Sequence, residues 1–314
     1  MQLTRPADCL ISAKRTIDAS FTIHCWPRGK PGAPGRRREG SASSLVAAPH
    51  ARSIPGVQPA EHELVVLTQN AWGGAPLWAR RRERLARAIA DLQPDVAGLQ
   101  EIHAPTPSGE GSQAHELAEI AGGYDAWFVP GRVTENGACE GVALLIRRGL
   151  EVVERSQLKL SLDSGDPLEG RHQRVVLRAS VRRGGAVVDV LATHLSLSKR
   201  ARERTIAEVV AFAARERKRS GSSGAVLVGD FNATPLEPAL MLLDGAAGWL
   251  DAWEQANPDG SGATWPAAVP FRRIDYVWVR AGEGWSIAEC RRMPIAGSDH
   301  VGLWARVTWP EIIT

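Results

Sequence analysis

The sequence predicts a mixed α/β domain in which strands outnumber helices, and three observations support this prediction. From about His62 onward, short apolar runs alternate with charged amphipathic stretches, which is the pattern of strands interleaved with helices. The apolar runs of strand length outnumber the amphipathic stretches of helix length. Two neighbouring runs, 175–181 and 187–191, are joined by a short turn that contains Arg-Gly-Gly, and so short a connection indicates antiparallel pairing. A doubly wound parallel sheet is therefore not expected.

The first elements are a strand and a surface helix. The strand follows from the β-branched-rich apolar run at 64–67. The helix is indicated by four apolar residues with helical spacing in an arginine-rich stretch: Leu85, Ala88, Ile89 and Leu92. Pro94 ends this helix, because proline cannot continue one.

The remaining elements are one long helix and a series of strands. The helix is predicted over 199–219, where one apolar stripe is formed by Ile206, Val209, Val210 and Ala213. Apolar runs predict the strands, which lie at 96–99, 142–146, 175–181, 187–191, 225–228, 274–279 and 301–307.

The composition is that of an ordinary folded protein. The chain has 314 residues, of which 44% are hydrophobic and 23% charged, so it can bury a sizeable core and is not disordered throughout. No apolar run approaches the length of a membrane-spanning helix, and the first thirty residues lack the apolar region of a signal peptide. The four cysteines are far apart and form no C-x-x-C pair, which predicts neither a disulfide framework nor a cysteine zinc site. We therefore expect a cytoplasmic protein, with no obligate protein partner implied.

The positive charge is concentrated before the folded domain. The first 60 residues hold nine Lys and Arg against three acidic residues, or +6, so with +3 overall the rest carries about −3. A strongly basic nucleic-acid-binding domain is therefore not indicated. We predict that 1–61 is a disordered basic tail rich in Pro, Gly, Arg and Ser, and that 62–314 is the folded domain. A start codon assigned too far upstream, or a phosphate-binding arm at 36–38, are alternative interpretations of the tail.

Polar residues stand at the ends of the predicted strands. Four strands end in Asn70, Glu101, His194 and Asp230, and Asn232 follows the last of these closely. Asp275 lies early in its strand, and Asp299 and His300 immediately precede the final one. Ligand sites of sheet proteins lie outside the carboxyl ends of strands, and antiparallel strands bring their starts to the same edge. These side chains are therefore expected on one rim.

The set as a whole indicates a bound cation. Each member alone has a simpler explanation, such as a turn, a helix cap or a core histidine. Four carboxylates converging without a lysine would repel one another strongly in a partly desolvated pocket. Because the groups are mainly carboxylate and amide oxygens, Mg²⁺ or Mn²⁺ fits better than Zn²⁺.

Six short motifs in a fixed order strengthen this interpretation. They are Thr-Gln-Asn-Ala-Trp (68–72), Leu-Gln-Glu (99–101), Thr-His-Leu (193–195), Gly-Asp-Phe-Asn-Ala-Thr-Pro (229–235), Arg-Ile-Asp-Tyr (273–276) and Ser-Asp-His (298–300). In order and approximate spacing this set resembles the endonuclease/exonuclease/phosphatase superfamily, which includes exonuclease III, DNase I and neutral sphingomyelinases. The resemblance spans about residues 62 to 309.

The resemblance implies a fold and a metal site. The fold is a four-layered α/β sandwich of the DNase I type, in which two packed, mostly antiparallel β-sheets are flanked by helices. The site would hydrolyse phosphoesters with Mg²⁺, for which Mn²⁺ is a substitute. By analogy Glu101 is the principal metal ligand, with Asn70 adjacent and Asp299 joining through water.

The same resemblance implies catalytic roles for five residues. Asp230 would orient or deprotonate the attacking water, and Asn232 would hold that water or a phosphate oxygen. His300 would contact the phosphate, with Asp275 hydrogen-bonded to its other ring nitrogen to fix the tautomer. His194 would donate to another non-bridging oxygen.

The substrate is left open by the sequence. A phosphodiesterase or nuclease is the expected function, with a sphingomyelinase-like phospholipid phosphodiesterase as the alternative and a non-catalytic binding module as a more remote one. Motifs of serine hydrolases, H-E-x-x-H metalloproteases and Walker-type NTPases are absent. A nucleic-acid substrate would predict a basic patch from Arg171, Arg174, Lys199, Arg200 and Arg272. Arg174 by itself is interpreted as a solvated edge residue. Five further residues receive less weight than the main set: the loop histidines His103 and His172 and the aromatic residues Trp72, Trp265 and Phe271.

Overall fold

Two β-sheets of six strands each, flanked by helices, form the architecture of the computed structural model, which describes residues 61–170, 172–294 and 296–311. The predicted α/β sandwich is thereby confirmed. Apart from Glu61, the predicted tail lies outside the described residues. No helix of the described part is long and apolar enough to cross a membrane.

The first sheet takes strands from both ends of the domain. Its members are β1 (Glu63–Asn70), β2 (Val96–Ala104), β3 (Tyr124–Val133), β4 (Cys139–Arg147), β11 (Ser286–Arg292) and β12 (Leu303–Thr308). They lie in the order β11-β12-β1-β2-β4-β3. Only the β1–β2 pair is parallel.

The second sheet is built from the middle of the chain and has a similar plan. Its members are β5 (Glu151–Lys159), β6 (Val175–Arg183), β7 (Ala186–His194), β8 (Gly224–Asp230), β9 (Leu250–Asp251) and β10 (Asp275–Arg280). They lie in the order β5-β6-β7-β8-β10-β9, and again a single pair, β7–β8, is parallel. Both sheets are thus mostly antiparallel, as expected.

Three apolar clusters hold four layers together. The sheets pack against each other through a mainly aliphatic core that includes Val66, Leu144, Val190 and Val228. Helices α1 (Trp78–Leu92) and α2 (Gln113–Ala121) cover the outer face of the first sheet, where Leu85, Ile89 and Leu117 are buried. Helices α3 (Lys199–Ser220) and α4 (Pro238–Met241) cover the second, where Ile206, Val209 and Phe212 are buried. A π-helical turn, 242–246, and the short α5 (Ala252–Ala256) complete the helices.

The two parallel pairs direct polar side chains to one rim. Each pair is a strand–helix–strand unit, so the carboxyl ends of its strands meet at the same edge. In register, Asn70 pairs with Gln100, next to Glu101, and His194 pairs with Asp230. Strand β10 runs antiparallel to β8, which sets Asp275 opposite Asp230.

The strands that have little apolar pattern were not predicted from the sequence. Strand β5 alternates between exposed and half-buried residues, and β3, β9 and β11 lie at or next to a sheet edge, where little burial is required. The final strand begins at Leu303 and not at Val301 as predicted. The reason is that the backbone N–H of Val301 donates to the carbonyl oxygen of Thr264 in a loop and is unavailable to the sheet.

Candidate active site

Two residues of the predicted site hold a backbone conformation that is rare for side chains with a Cβ. Glu101 has φ of 55° at an irregularity in the β2–β4 pairing, and Asn232 has φ of 50° just after β8. Bulges and left-handed residues re-aim a side chain at the end of a strand, and such strain concentrates at functional sites. Both side chains reach the same cavity.

Asn70 joins the two sheets at the centre of the site. Its Nδ2 donates to Glu101 Oε1 at 3.0 Å and to Asp230 Oδ2 at 3.0 Å. The backbone N–H of Trp72 donates to Asn70 Oδ1 at 2.9 Å, which fixes the orientation of the amide. The side chain is fully buried, so it holds two carboxylates from different sheets beside each other.

Asp230 is the most closely surrounded carboxylate. Its Oδ1 accepts from the backbone N–H of Asn232 at 2.9 Å, and its Oδ2 lies 3.5 Å from His194 Nε2 and 3.8 Å from His300 Nε2. Burial, together with the nearby charge of Asp275, raises the pKa of Asp230 to about 7. A buried carboxyl with a pKa near neutrality is suited to accept a proton.

His300 and Asp275 form a buried pair behind Asp230. His300 Nδ1 lies 2.9 Å from Asp275 Oδ2, which is the pairing that the family resemblance implied. Burial alone would lower the pKa of His300, but the charge of Asp275 and the hydrogen bond to it, with Asp230 and Asp299, raise that pKa to about 10. The imidazole is therefore protonated at neutral pH and directs Nε2 toward the cavity side of Asp230.

His194 differs from His300 in its charge. Burial, followed by the positive charge of Arg174, lowers the pKa of His194 well below its usual value. Its Nε2 lies 3.1 Å from Asn232 Nδ2, which also donates to the carbonyl oxygen of Leu195 at 3.0 Å. The site therefore holds one neutral and one charged imidazole, both within 4 Å of Asp230 Oδ2.

Asp299 and Glu101 are the two remaining carboxylates of the predicted site, and Asp299 has an oxygen without a donor among the described residues. Asp299 Oδ2 accepts from Trp265 Nε1 at 3.4 Å, while its buried Oδ1 has no hydrogen-bond partner among the described residues. Burial raises the pKa of Glu101, and the hydrogen bond from Asn70 opposes that rise only in part. A buried carboxylate oxygen without a donor can be satisfied by a water molecule or by a cation.

All eight predicted site residues meet at one cavity of about 370 Å³. Asn70 and Asp275 are fully buried behind its wall. The other six line it: Glu101, His194, Asp230, Asn232, Asp299 and His300.

A model of the family described as "Endonuclease/Exonuclease/phosphatase family" matches residues 67–300, a range that spans most of both sheets and every predicted site residue. The chain belongs to this family. None of the curated proteins matches the sequence.

Several solved structures share this fold at low sequence identity. An endonuclease/exonuclease/phosphatase from Beutenbergia cavernae is 24% identical with a TM-score of 0.63, and the match covers 79% of this chain and 72% of that one. A mannosyl-6-phosphatase from Bacteroides thetaiotaomicron is 18% identical with a TM-score of 0.62, covering 78% and 100%. TDP2 from D. rerio, complexed with a single-strand DNA product, is 19% identical with a TM-score of 0.60, covering 78% and 99%.

The predicted site leaves out two charged residues that line the cavity: Arg174, which the sequence analysis named only for a basic patch and as an edge residue, and Glu140, which it did not name. Arg174 lines it and is half-buried, so its interpretation as a solvated edge residue is wrong. Burial lowers the pKa of Arg174, while Glu140, Asp230 and Glu101 oppose that change. Glu140 also lines the cavity, at the start of β4. Both precede or begin antiparallel strands, as Asp275 does, and this shared position was the signal that could have identified them.

The remaining candidates of the sequence divide between the cavity and its surroundings. His172 and Trp265 line the cavity. His103 lies outside its lining and pairs with Glu140 at 3.9 Å. Phe271 is largely exposed, and its ring centroid is 6.0 Å from that of Trp265. Trp72 is partly exposed on the loop after β1.

The charges and donors of the site fit a divalent cation. Ligand atoms of Glu101, His194 and Asp230 lie within 4.8 Å of one another, as do those of Asp230, Asp275 and His300. Four carboxylates and two arginines, Arg174 and Arg272, line the cavity. The negative charge of Asp275 and the positive charge of His300 cancel. The excess of negative charge, together with Asp299 Oδ1, which accepts no hydrogen bond from the described part of the chain, is compatible with a hard oxygen-binding ion.

The Asp275–His300 pair predicts a measurable pH dependence. A histidine pKa raised to about 10 means that the imidazolium is present below that pH and is lost above it. In Asp275→Asn the negative charge is removed, so the pKa of His300 should fall toward the neutral range. Ring chemical shifts of His300 followed by NMR from pH 6 to 11 in metal-free protein measure this directly. Identical titration of His300 in both proteins would contradict the assigned role of Asp275.

Proposed function

We propose that the protein is a divalent-metal-dependent phosphoester hydrolase, and more specifically a phosphodiesterase or nuclease that cleaves a P–O bond by in-line attack of water. The observation that supports it most is the convergence of Glu101, Asp230 and His300 from three separate motifs on one cavity. Its polar groups match the needs of phosphoryl transfer, in which charge develops on several oxygens at once. A cytoplasmic location stays a prediction from the sequence.

Glu101 and Asp299 are the residues that would hold the ion. Glu101 is aimed into the cavity by its left-handed backbone, and Asp299 offers the oxygen that has no donor among the described residues. Asn70 would keep Glu101 in place, since its amide nitrogen faces the carboxylates and its Oδ1 already accepts from Trp72. When bound, Mg²⁺, or Mn²⁺ in its place, would polarise the phosphoryl group and offset the charge on the leaving oxygen.

Asp230 would activate the attacking water. Its Oδ1 is fixed by Asn232 and its Oδ2 by Asn70, so the carboxylate cannot rotate away from the cavity. With a pKa near 7 it exists partly as the carboxylate at neutral pH and can accept the proton of water as the new P–O bond forms. Asn232 Nδ2, beside His194, would hold that water or a phosphate oxygen.

Three groups would stabilise the charge of the phosphate. His300, kept protonated by Asp275, can donate from Nε2 to a non-bridging oxygen. His194 is neutral, and in the tautomer that carries its proton on Nε2 it can donate to a second oxygen. Arg174 adds a fixed positive charge that the sequence interpretation had left out. Donors fixed in a partly desolvated site act more strongly than they would in water.

The cavity favours a small or single-stranded substrate over duplex nucleic acid. Of the predicted basic patch, Arg174 and Arg272 line the cavity, whereas Lys199 and Arg200 do not. Arg200 instead lies 3.5 Å from Asp163, and Arg171 lies outside the described residues. Tight duplex binding requires many phosphate contacts at once, and two arginines supply few of them.

A phospholipid is the second candidate substrate. Leu197 lines the cavity and is 63% exposed, and Phe271, beside Trp265, is 69% exposed. An apolar rim of this kind suits an acyl chain as well as a base, because both bury apolar surface against it. A sphingomyelinase-like activity is therefore kept as the alternative.

Hydrolysis of bis-p-nitrophenyl phosphate tests the proposed reaction. We expect turnover with Mg²⁺ or Mn²⁺, loss of turnover in EDTA, and recovery when the ion is restored in excess. A panel of plasmid, abasic duplex, oligo(A), sphingomyelin and inositol phosphates at fixed Mg²⁺ then assigns the substrate, with oligo(A) expected to exceed the two duplexes. Absence of metal-dependent turnover on every substrate would contradict catalysis and favour a binding module.

A further inference from the structure

We propose that Arg81 is a positioning residue that fixes the spacing between the loop after β1 and the loop before β12, and thereby sets the affinity of the site for a divalent ion. The inference rests on the proposed function, because it concerns the same site. Arg81 lies on α1, outside the cavity lining, and none of the six motifs includes it. It would act through Asn70, Asp299 and His300 and not by contact with substrate.

Every N–H group of the Arg81 guanidinium has a carbonyl partner. Nε donates to Pro76 at 3.0 Å, and Nη1 donates to Ala71 at 2.9 Å and to Gly297 at 3.2 Å. Nη2 donates to Trp72 at 2.8 Å and to Ala75 at 3.0 Å. Four of these oxygens belong to 71–76 and the fifth to Gly297, so one side chain ties two loops that are far apart in sequence.

The surroundings of Arg81 are built for a guanidinium. Its Cζ lies 5.4 Å from the ring centroid of Trp72 and 5.3 Å from that of Trp78, distances at which a cation is attracted to an aromatic face. Within the described residues, Arg81 forms no ion pair with a carboxylate. Its charge is therefore held by backbone carbonyls and aromatic rings, a combination that lysine cannot reproduce because it lacks the planar fork.

The backbone at Gly297 independently supports the link that Arg81 forms between the two loops. Its φ is 88°, and a Cβ at that position would lie 3.3 Å from Arg81 Cα and 3.4 Å from Arg81 Cβ. Glycine permits both the left-handed backbone and the close approach to α1. The loop before β12 is thus packed directly on the helix turn that carries Arg81.

Both loops lead directly to the site. In the first, the backbone N–H of Trp72 donates to Asn70 Oδ1, and Asn70 holds Glu101 and Asp230. In the second, Ser298 follows Gly297, and its Oγ donates to the carbonyl oxygen of Asn70 and accepts from the backbone N–H of His300. Asp299 lies between them. Loss of Arg81 would remove the link from Gly297 to residues 71–76 and loosen the distance between Glu101 and Asp299, while Ser298 would still join the second loop to Asn70.

The test is Mn²⁺ binding by Arg81 variants of the full chain, measured without substrate from the EPR signal of free Mn²⁺. We expect Arg81→Met, which keeps the stem, to bind Mn²⁺ about 10- to 100-fold more weakly, the usual effect of removing a group that supports a metal ligand. Arg81→Lys should recover part of that loss. On bis-p-nitrophenyl phosphate at fixed Mn²⁺ below saturation, kcat should fall in similar proportion while KM changes less.

Arg82→Met is the matched control, because Arg82 is adjacent on α1 and pairs with Glu116 at the half-exposed surface. It should bind Mn²⁺ as the parent does. If Arg81→Met fails to fold, Arg81→Lys and Gly297→Ala decide the question by the same titration. A folded variant at position 81 that binds Mn²⁺ with parental affinity would overturn the inference and assign Arg81 a structural role alone. Failure of the parent protein itself to bind Mn²⁺ would refute the proposed function and this inference with it.

Discussion

Asp230→Asn is expected to lower kcat by about 10²- to 10⁴-fold, the range associated with removal of a general base. The asparagine keeps the shape of the side chain and can still accept from the backbone N–H of Asn232 through one oxygen. What it cannot do is accept the proton of the attacking water. KM should change much less than kcat, since Arg174 and His300, the proposed phosphate contacts, still line the cavity.

The same substitution should not destabilise the metal-free protein. The pKa of Asp230 rises from 3.8 to about 7 in the fold, so the folded protein binds that proton more tightly than the unfolded chain does. The ionised carboxylate therefore lowers the free energy of unfolding progressively as pH rises across that range, and the full penalty is present above pH 7. Asparagine lacks the penalty, whose removal outweighs the loss of the hydrogen bond from Asn70 Nδ2 to Oδ2, so at pH 8 Asp230→Asn should unfold at equal or higher denaturant concentration. Such a gain is common where a buried group that serves activity is replaced by a neutral one.

Steady-state kinetics and urea unfolding of the two proteins test this pair of expectations together. Asp259→Asn is the matched control, because Asp259 is an exposed turn residue, and it should change neither quantity. Activity that survives Asp230→Asn within tenfold would show that another group takes the proton. Activity lost together with the fold would point to a structural role for Asp230.

Glu101→Gln is expected to weaken binding of the divalent ion by at least about 100-fold. Removal of groups that merely support a ligand already costs about 10- to 100-fold, and Glu101 is the proposed ligand itself. Glutamine can still accept the hydrogen bond from Asn70 Nδ2, so the local contact between the sheets is kept. The change therefore isolates the carboxylate charge from the packing.

Isothermal titration with Mn²⁺ measures the effect, and excess Mn²⁺ should restore part of the turnover. Glu119→Gln serves as the control, because Glu119 is an exposed residue of α2 and its loss should leave affinity and turnover unchanged. Unaltered Mn²⁺ affinity in Glu101→Gln would rule out Glu101 as the principal ligand. The second group of candidate ligands, Asp230, Asp275 and His300, would then be tested in its place.

The rim of the site could be predicted from the sequence because its residues follow a simple geometric rule. Parallel strands must place their carboxyl ends together. Three residues of the rim end strands of the two parallel pairs, namely Asn70, His194 and Asp230. Glu101 follows Gln100, the residue that pairs with Asn70. Asp275 follows by antiparallel pairing with β8. Apolar runs bounded by polar residues sufficed to identify these positions without coordinates.

Other features depend on tertiary contacts that leave no local pattern. Edge strands such as β5 bury little and are therefore not apolar. Arg174 looks like any surface arginine until β4 brings Glu140 across from it, and Arg81 lies within an arginine-rich helix whose other arginines face outward or pair at the surface. The carbonyl partners of Arg81 belong to irregular loops, and nothing in the residue types of those loops indicates that they meet.

A titration of the metal-free protein with Mn²⁺, with bis-p-nitrophenyl phosphate hydrolysis measured at each point, tests most directly whether the converging carboxylates bind an ion that is required for phosphoester cleavage. Saturable binding, with turnover that rises in parallel with occupancy and disappears in EDTA, is the predicted result. Turnover that is independent of Mn²⁺ occupancy, or the absence of any saturable site, would contradict it.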